Sequence, residues 1–244
     1  MNPLFLGTAG RRIFGVYEPA AQTSGVPRAA VICNPWGNEY VYAHRSLGHL
    51  AVRLSRSGCH TLRFDYFGTG DSAGDETETD FSGLARDIES AMETVKDIAG
   101  TPRVALIGLR LGANIAAQVA ARLPNEVESL VLWDPILPAF ESSPDIEVPP
   151  PAKQPYTRES QVLRDLRVFD MESVLDSLPD RSLILFTQSE TPDAAPTAAE
   201  ELGRLAAPRF AVEAVPGPFC WLESITMSGA LPVRIIQRIE EWLR

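Results

Sequence analysis

The chain has 244 residues, of which 45% are hydrophobic, and its formal net charge at pH 7 is −10. A chain of this length can form one large domain, because splitting into several domains usually begins near ~250–300 residues. The strong acidic balance disfavours nucleic acid and anionic membrane surfaces as partners.

The cysteines and the apolar runs limit the cellular compartments that the sequence suits. Cys33, Cys59 and Cys220 are an odd number without metal-ligand spacing, so we expect free thiols in a reducing compartment. The segment MNPLFLGTAGRR lacks the apolar core of a signal peptide, and no apolar run approaches the ~18 residues of a membrane span. We therefore expect a cytoplasmic protein. No glycine motif of a nucleotide site follows a strand, and the histidines lack ligand spacing, so neither a cofactor nor a metal is expected.

The first half of the chain predicts strands that alternate with helices. Residues 4–6 and 12–17 read as a hairpin at an antiparallel edge, and residues 29–33 as a buried strand that ends in a loop at 34–40. Apolar residues at helical spacing predict helices over 43–57 and from Phe81 to Gly100. Between these helices lie a strand at 60–65 and a glycine-rich loop.

The segment RVALIGLRLGANIAAQVAARL, residues 103–123, is the most informative stretch. It predicts a short buried strand, a turn flanked by Gly108 and Gly112, and an alanine-rich helix, which is the arrangement of a nucleophile elbow. The central residue of such an elbow is normally serine, whereas here it is Arg110. A guanidinium stays protonated and has no lone pair with which to attack a carbonyl.

The second half predicts further strands at 129–133, 183–186 and 209–215, a helix at 195–205 and a closing helix that contains Ile235, Ile239 and Trp242. Residues 138–180 interrupt the alternation with a proline-rich segment and two short helices, which we interpret as a lid insertion. Alternating strands and helices of this length indicate a single α/β domain, 1–244, with a mostly parallel sheet.

Five segments in order carry a resemblance to a known family: AGRRIFGVYEP, NPWGNEYVYAHR, LRFDYFGTGDSAGD, GLRLGA and LVLWDP. The chain resembles the α/β-hydrolase superfamily along nearly its whole length. More narrowly, it resembles the serine-aminopeptidase-like branch that includes the exosortase-associated hydrolases. This resemblance implies a twisted, mostly parallel sheet flanked by helices, with a helical lid inserted after the sixth strand.

The resemblance also implies where a catalytic triad would lie. It places the oxyanion loop at 34–40, the nucleophile at Arg110, an acid after the strand ending near Thr187 and a histidine after the strand ending at Val215. The loop VPGPFCW at 215–221 contains no histidine, although acids are available at Asp134, Glu190 or Asp193. Ordinary serine-triad chemistry is therefore excluded at the expected positions.

Arg110 itself has two interpretations. It is an anion clamp for a carboxylate, phosphate or acyl oxyanion, or it is buried in an ion pair with Asp134 on the neighbouring strand. Arg63 and Arg45 are expected to be surface or structural ion pairs. His44 either forms a general acid–base pair with Glu39 or braces the loop through a backbone bond.

Aromatic and loop residues near the strand ends complete the candidate site. Aromatic side chains there either line an apolar pocket or pack the lid on the sheet, and the loop after the third strand supplies backbone donors. The predicted substrate-binding residues are Trp36, Gly37, Asn38, Tyr40, Leu111, Asp134 and Trp221.

These assignments predict a metabolic or tailoring enzyme with non-serine chemistry on a small anionic or acyl or carbonyl-bearing substrate. Arg110 would stabilise negative charge, and His44 with Glu39 would move protons. One alternative is a non-catalytic binding or scaffold protein. Another is a hydrolase with a relocated nucleophile at Ser72 or Cys220, although the G-x-S-x-G around Ser72 neither follows a strand directly nor precedes a helix. The chain is also a candidate homodimer.

Overall fold

A computed structural model describes residues 1–21, 25–137, 160–188, 209–222 and 230–244. Eight strands form one sheet in the order β1-β2-β4-β3-β5-β6-β7-β8, with β1 and β2 antiparallel at one edge and the rest parallel. This confirms the predicted fold class of a mostly parallel sheet flanked by helices. The strands are β1 (Asn2–Thr8), β2 (Arg11–Glu18), β3 (Arg28–Cys33), β4 (Cys59–Phe64), β5 (Val104–Leu109), β6 (Val127–Trp133), β7 (Ser182–Gln188) and β8 (Ala211–Pro216).

Six α-helices are described, and they cover both faces of the sheet. They are α1 (Asn38–Arg56), α2 (Phe81–Ala99), α3 (Leu111–Arg122), α4 (Gln161–Arg167), α5 (Met171–Leu175) and α6 (Val233–Trp242). One apolar core lies between the sheet and α2 and α3, and a second lies between the sheet and α1 and α6. The central strands are apolar on both sides because both faces of a parallel sheet are covered by helices.

The predicted lid segment is described only in its second part. Helices α4 and α5 lie within 138–180 and bury Val162, Leu166, Met171 and Leu175 in the same core as α2 and α3. The ring of Phe169 lies 5.2 Å from that of Phe81 at the start of α2. Residues 138–159, like the predicted helix at 195–205, lie outside the described residues. None of the described helices is long and apolar enough to cross a bilayer.

The turn from β5 into α3 is shaped by two close approaches. A Cβ on Gly112 would lie 2.3 Å from the carbonyl oxygen of Cys33 at the end of β3. A Cβ on Gly108 would lie 2.4 Å from the Cα of Ala113 in the first turn of α3. Both positions therefore require glycine, because the atoms in the way belong to the backbone and cannot turn aside.

Replacement Gly112→Ala tests this account of the turn. We expect a loss of about 3 kcal/mol in the free energy of unfolding, the upper end for an overpacked site, because the added methyl group would overlap the β3 backbone. Urea denaturation measures the change. The matched control is Gly10→Ala, where an added Cβ has no atom within 4 Å, and a similar small effect at both sites would contradict the account.

Candidate functional site

Arg110 occupies the apex of the turn between β5 and α3. Its backbone adopts φ 54° and ψ −125°, which non-glycine residues rarely do. Its N–H donates to the carbonyl of Trp133 at 3.0 Å, so the end of β6 holds the apex in place. The turn has the strand, strained residue and helix of the predicted nucleophile elbow, with a guanidinium at its centre.

The Arg110 side chain is enclosed, with 5% of its surface exposed, and among the described residues it contacts Glu39 and Trp221. Its Nε donates to Oε1 of Glu39 at 3.3 Å, in an ion pair. Its Cζ lies 4.0 Å from the centre of the Trp221 ring, within the range of a cation–π contact. The ion pair expected with Asp134 is thus replaced, within the described residues, by one with Glu39.

Glu39 reaches Arg110 because α1 begins earlier than the sequence suggested. The predicted helix started at 43, whereas α1 starts at Asn38, directly after Gly37 with φ 63°. Glu39 therefore sits in the first turn, where the positive end of the helix dipole favours a carboxylate. The same register separates Glu39 from His44, since five helical residues turn through about 140°.

His44 lies in a different environment from Glu39. Its ring is exposed and meets the ring of Tyr40 edge to face, with centroids 5.7 Å apart. The contacts of the described residues include no hydrogen bond or ion pair between Glu39 and His44. The predicted acid–base pair is therefore not assembled, and each member faces a separate neighbour.

Asp134 follows β6 next to the elbow and is 6% exposed, with φ 45°. Its carboxylate accepts hydrogen bonds from the Thr187 backbone N–H at 2.7 Å, the Thr187 hydroxyl at 2.6 Å and the Trp221 indole at 3.0 Å. The Trp133 indole in turn donates to the Thr187 hydroxyl at 3.0 Å. Burial raises the pKa of Asp134, while these bonds and the charge of Arg110 act in the opposite direction. Sequence reasoning missed Thr187 as a partner of this acid.

Trp221 connects the acid to the elbow. Its indole N–H bonds Asp134 and its ring lies against the Arg110 guanidinium, so one side chain contacts both residues. It comes from the loop after β8, the position at which the family resemblance implies a histidine. The order acid, ring and elbow residue is thus kept, but an indole donates a hydrogen bond and has no basic nitrogen.

Other predicted binding residues lie in the core or beside the site. Trp36 and Leu111 are 7% and 2% exposed and belong to the core under α2 and α3. Gly37 and Asn38 are partly exposed at the start of α1. No group of three or more His, Cys, Asp or Glu residues that could hold a metal ion occurs in the described ranges.

The two candidate relocated nucleophiles are held in structural roles. The Ser72 hydroxyl donates to the Asp65 carbonyl at 2.6 Å and accepts from the Phe14 N–H at 2.8 Å, which fastens the loop after β4 to β2. Cys220 is 9% exposed, and burial raises the pKa of its thiol to about 12. A thiol with this pKa remains protonated at neutral pH.

Comparison of the sequence with models of known protein families identifies a match. Residues 26–201 match the family described as Serine aminopeptidase, S33. The chain belongs to this family.

Relatives of known sequence match parts of this family member. Protein ABHD12B of Homo sapiens is 36% identical over 106 residues, which are 39% of this chain and 28% of the relative. An uncharacterized protein of Mycobacterium tuberculosis is 34% identical over 128 residues, 52% of this chain and 42% of the relative. The chain thus spans less than half the length of these relatives.

Solved structures agree in fold over almost the whole chain. Est1E from Butyrivibrio proteoclasticus, solved with ferulic acid, superposes with a TM-score of 0.68 at 14% identity and covers 98% of this chain and 96% of its own. A serine hydrolase without a lid from Xanthomonas campestris gives 0.64 at 17%, with coverages of 99% and 91%. DcsB, solved with a substrate analogue, gives 0.68 at 16%, with coverages of 100% and 98%. At these identities the likeness concerns the fold alone.

The buried ion pair of the S33 family member can be tested by a double-mutant cycle. Arg110→Met leaves the Glu39 carboxylate buried without its cation, so we expect a loss of about 3–5 kcal/mol in the free energy of unfolding. Glu39→Gln in the same chain should recover a large part of the loss, with a coupling of about 1–3 kcal/mol. Urea titrations of the single and double variants give these values.

A solvent-exposed ion pair provides the matched control. Arg122 pairs with Glu89 on the protein surface, where its side chain is 48% exposed. Arg122→Met should change the free energy of unfolding by no more than about 1 kcal/mol. If Arg110→Met proves as mild as Arg122→Met, the buried pair does not hold the elbow.

The thiols yield a second test at this site. Burial raises the pKa of Cys220 to about 12, that of Cys59 to about 11 and that of Cys33 further still. At pH 8 the native protein should therefore react with iodoacetamide at least about a hundredfold more slowly than free cysteine. Intact-mass spectrometry follows the reaction, and unfolding in urea should expose all three thiols. Rapid modification of native Cys220 would contradict its placement.

Proposed function

We propose that this S33 family member binds a small carboxylate-bearing or carbonyl-bearing molecule without covalent catalysis, on an α/β-hydrolase scaffold. The observation that carries the proposal is the bridge of Trp221 between Asp134 and Arg110. In a hydrolase with a serine triad, the histidine takes the proton of the nucleophile and the acid orients and stabilises that histidine. Here a carboxylate, an indole and a guanidinium form a chain in which neither the ring nor the apex can accept a proton.

The remaining histidines support a non-covalent role. His44 contacts Tyr40, and the Nδ1 of His60 lies 2.5 Å from the Tyr17 hydroxyl at the edge of the sheet. His49 is exposed on α1. Within the described residues none of the three histidines contacts Arg110, which supports an elbow without an imidazole to activate a nucleophile.

The same geometry favours an anionic group as ligand. The Arg110 backbone directly precedes α3, so the residue lies at the positive end of that helix. A planar guanidinium binds carboxylates through two parallel hydrogen bonds. An incoming carboxylate can exchange for Glu39 at Arg110 while the Trp221 ring stays stacked beneath the cation. Esters and thioesters would bind through their carbonyl oxygen at the same place.

Labelling with a fluorophosphonate probe tests whether the elbow residue can act as a covalent nucleophile. The wild-type protein and the Arg110→Ser variant should both remain unlabelled, because a serine alone has no base. In Arg110→Ser/Trp221→His, the imidazole can bond Asp134 as the indole does and activate the serine. Labelling should then rise by about 10²-fold or more over the single variant.

Trp221→His alone is the control, and it should stay unlabelled because Arg110 is no nucleophile. Stoichiometric labelling of the wild-type protein, or its turnover of an ester or thioester panel, would refute a purely non-covalent role.

Ligand binding at Arg110 can be followed through the neighbouring indole. Benzoate and acetate at millimolar concentrations should change tryptophan fluorescence saturably, because they alter the charge next to Trp221. The change should be lost in Arg110→Met/Glu39→Gln. A wild-type protein that gives no saturable change with either anion would contradict the assignment of Arg110 as the binding group.

A further inference from the structure

A cavity separate from the Arg110 contacts lies between α1 and the β2–β4 edge of the sheet. It has a volume of about 340 Å³, is open to solvent on one side and is here called the Arg63 pocket. Its lining includes residues 14–16 of β2 and the polar residues Asn34, Tyr40, His44, Arg63, Asp65 and Asp71. Tyr40, His44 and Gly48 follow one another at intervals of four on α1, so they share one helical face above β4.

Arg63 is the unusual member of this lining. It lies near the end of β4 and is 8% exposed, under Gly48 of α1, whose added Cβ would lie 4.0 Å from the Arg63 Cζ. Its Nε is buried and has no hydrogen-bond partner within the described residues. The ion pairs found in those residues do not involve Arg63 either, contrary to the expectation from sequence.

The Asp65 carboxylate in the same lining accepts hydrogen bonds from other donors. Asp65 accepts a hydrogen bond from the Tyr40 hydroxyl and another from the Asp71 backbone N–H at 2.9 Å. Gly70 brings its backbone so close that a Cβ would overlap the Asp65 carboxylate, which fixes that side chain in place. Burial raises the pKa of Tyr40, whereas the charge of Arg63 lowers it. The cation is therefore near the phenol, but the phenol bonds Asp65 instead.

The buried Arg63 Nε has no hydrogen-bond partner within the described residues, which costs free energy, and an anion in the adjoining cavity would supply that partner. The two acidic residues of the lining select among anions, because they repel a doubly charged phosphate more strongly than a singly charged carboxylate. The volume suits a molecule of a few carbon atoms.

We propose that the Arg63 pocket binds a small monocarboxylate, with Arg63 holding the carboxylate and His44 and Tyr40 bordering it. The apolar part of the ligand lies along Gly15 and Val16 of β2, which line the same cavity. This site is independent of the function proposed for Arg110, because it uses different residues.

A nuclear magnetic resonance titration of the full chain with butyrate tests the site. Backbone amide shifts of α1 and β4 residues around the pocket should move saturably, and inorganic phosphate should bind at least several-fold more weakly. The Arg63→Met variant should bind butyrate at least ten times more weakly. The matched control is Arg45→Met, an exposed arginine on α1 outside the lining, which should bind as the wild type does.

Two further variants separate the site from folding effects and from Arg110. Arg63→Met should melt at the same or a higher temperature without ligand, because it removes a buried N–H donor that has no partner within the described residues. Asp71→Asn, at an exposed position, should bind butyrate a few-fold more tightly because one repulsive charge is gone. Arg110→Met/Glu39→Gln should show the same butyrate-induced shift changes around Arg63 as the wild-type protein.

Three results would overturn the proposal. They are an absence of saturable shifts around the pocket in the wild-type protein, equal butyrate binding by Arg63→Met, and tighter binding of phosphate than of butyrate. Should Arg63→Met fail to fold, a butyrate affinity unchanged in Asp71→Asn would count against the site in the same way.

Discussion

The close approach of β5, α3 and the end of β3 at two glycines is the constraint on which the site depends. Because Gly108 and Gly112 have no Cβ, the chain can turn within five residues and hold Arg110 at φ 54°. That conformation costs free energy, and the Arg110–Trp133 backbone bond helps to maintain it. The fold thus presents whatever side chain follows Leu109 at the carboxyl edge of the sheet, where α/β proteins bind ligands.

Placing a guanidinium at that apex changes what its neighbours must be. A buried cation needs a counter-charge, which Glu39 provides from the first turn of α1, and a polarizable face, which Trp221 provides. The indole then uses its single N–H on Asp134, so the acid keeps a donor although no imidazole is present. Arg110 and Trp221 are therefore chemically consistent with each other. A histidine beside a permanent cation would lose its basicity, whereas an indole is favoured by it.

The sequence allowed the fold and the elbow to be predicted because both depend on local patterns. Apolar periodicity located most strands and helices, and the G-x-x-x-G spacing identified the turn before any contact was known. The partners of Arg110 could not be read in this way. The position of Asp134 after the adjacent strand predicts an ion pair with Arg110. In the structure, Thr187 and Trp221 donate hydrogen bonds to its carboxylate instead. The closeness of Glu39 and His44 along the chain predicts an acid–base pair. Because α1 starts at Asn38, the two residues lie on different faces of that helix.

Arg110 and Arg63 show that the partners of an arginine side chain determine how readily it can bind an anionic ligand. Both are arginines near the carboxyl ends of parallel strands in a chain of net charge −10. Arg110 is matched by a carboxylate and an aromatic face, so a ligand there must compete with Glu39. Near Arg63 the Asp65 carboxylate accepts hydrogen bonds from Tyr40 and from the Asp71 backbone, and the Arg63 Nε has no partner within the described residues, so a ligand there would displace no ion pair found among them. Affinity for an anion should accordingly depend less on the positive charge itself than on what each guanidinium must release to bind it.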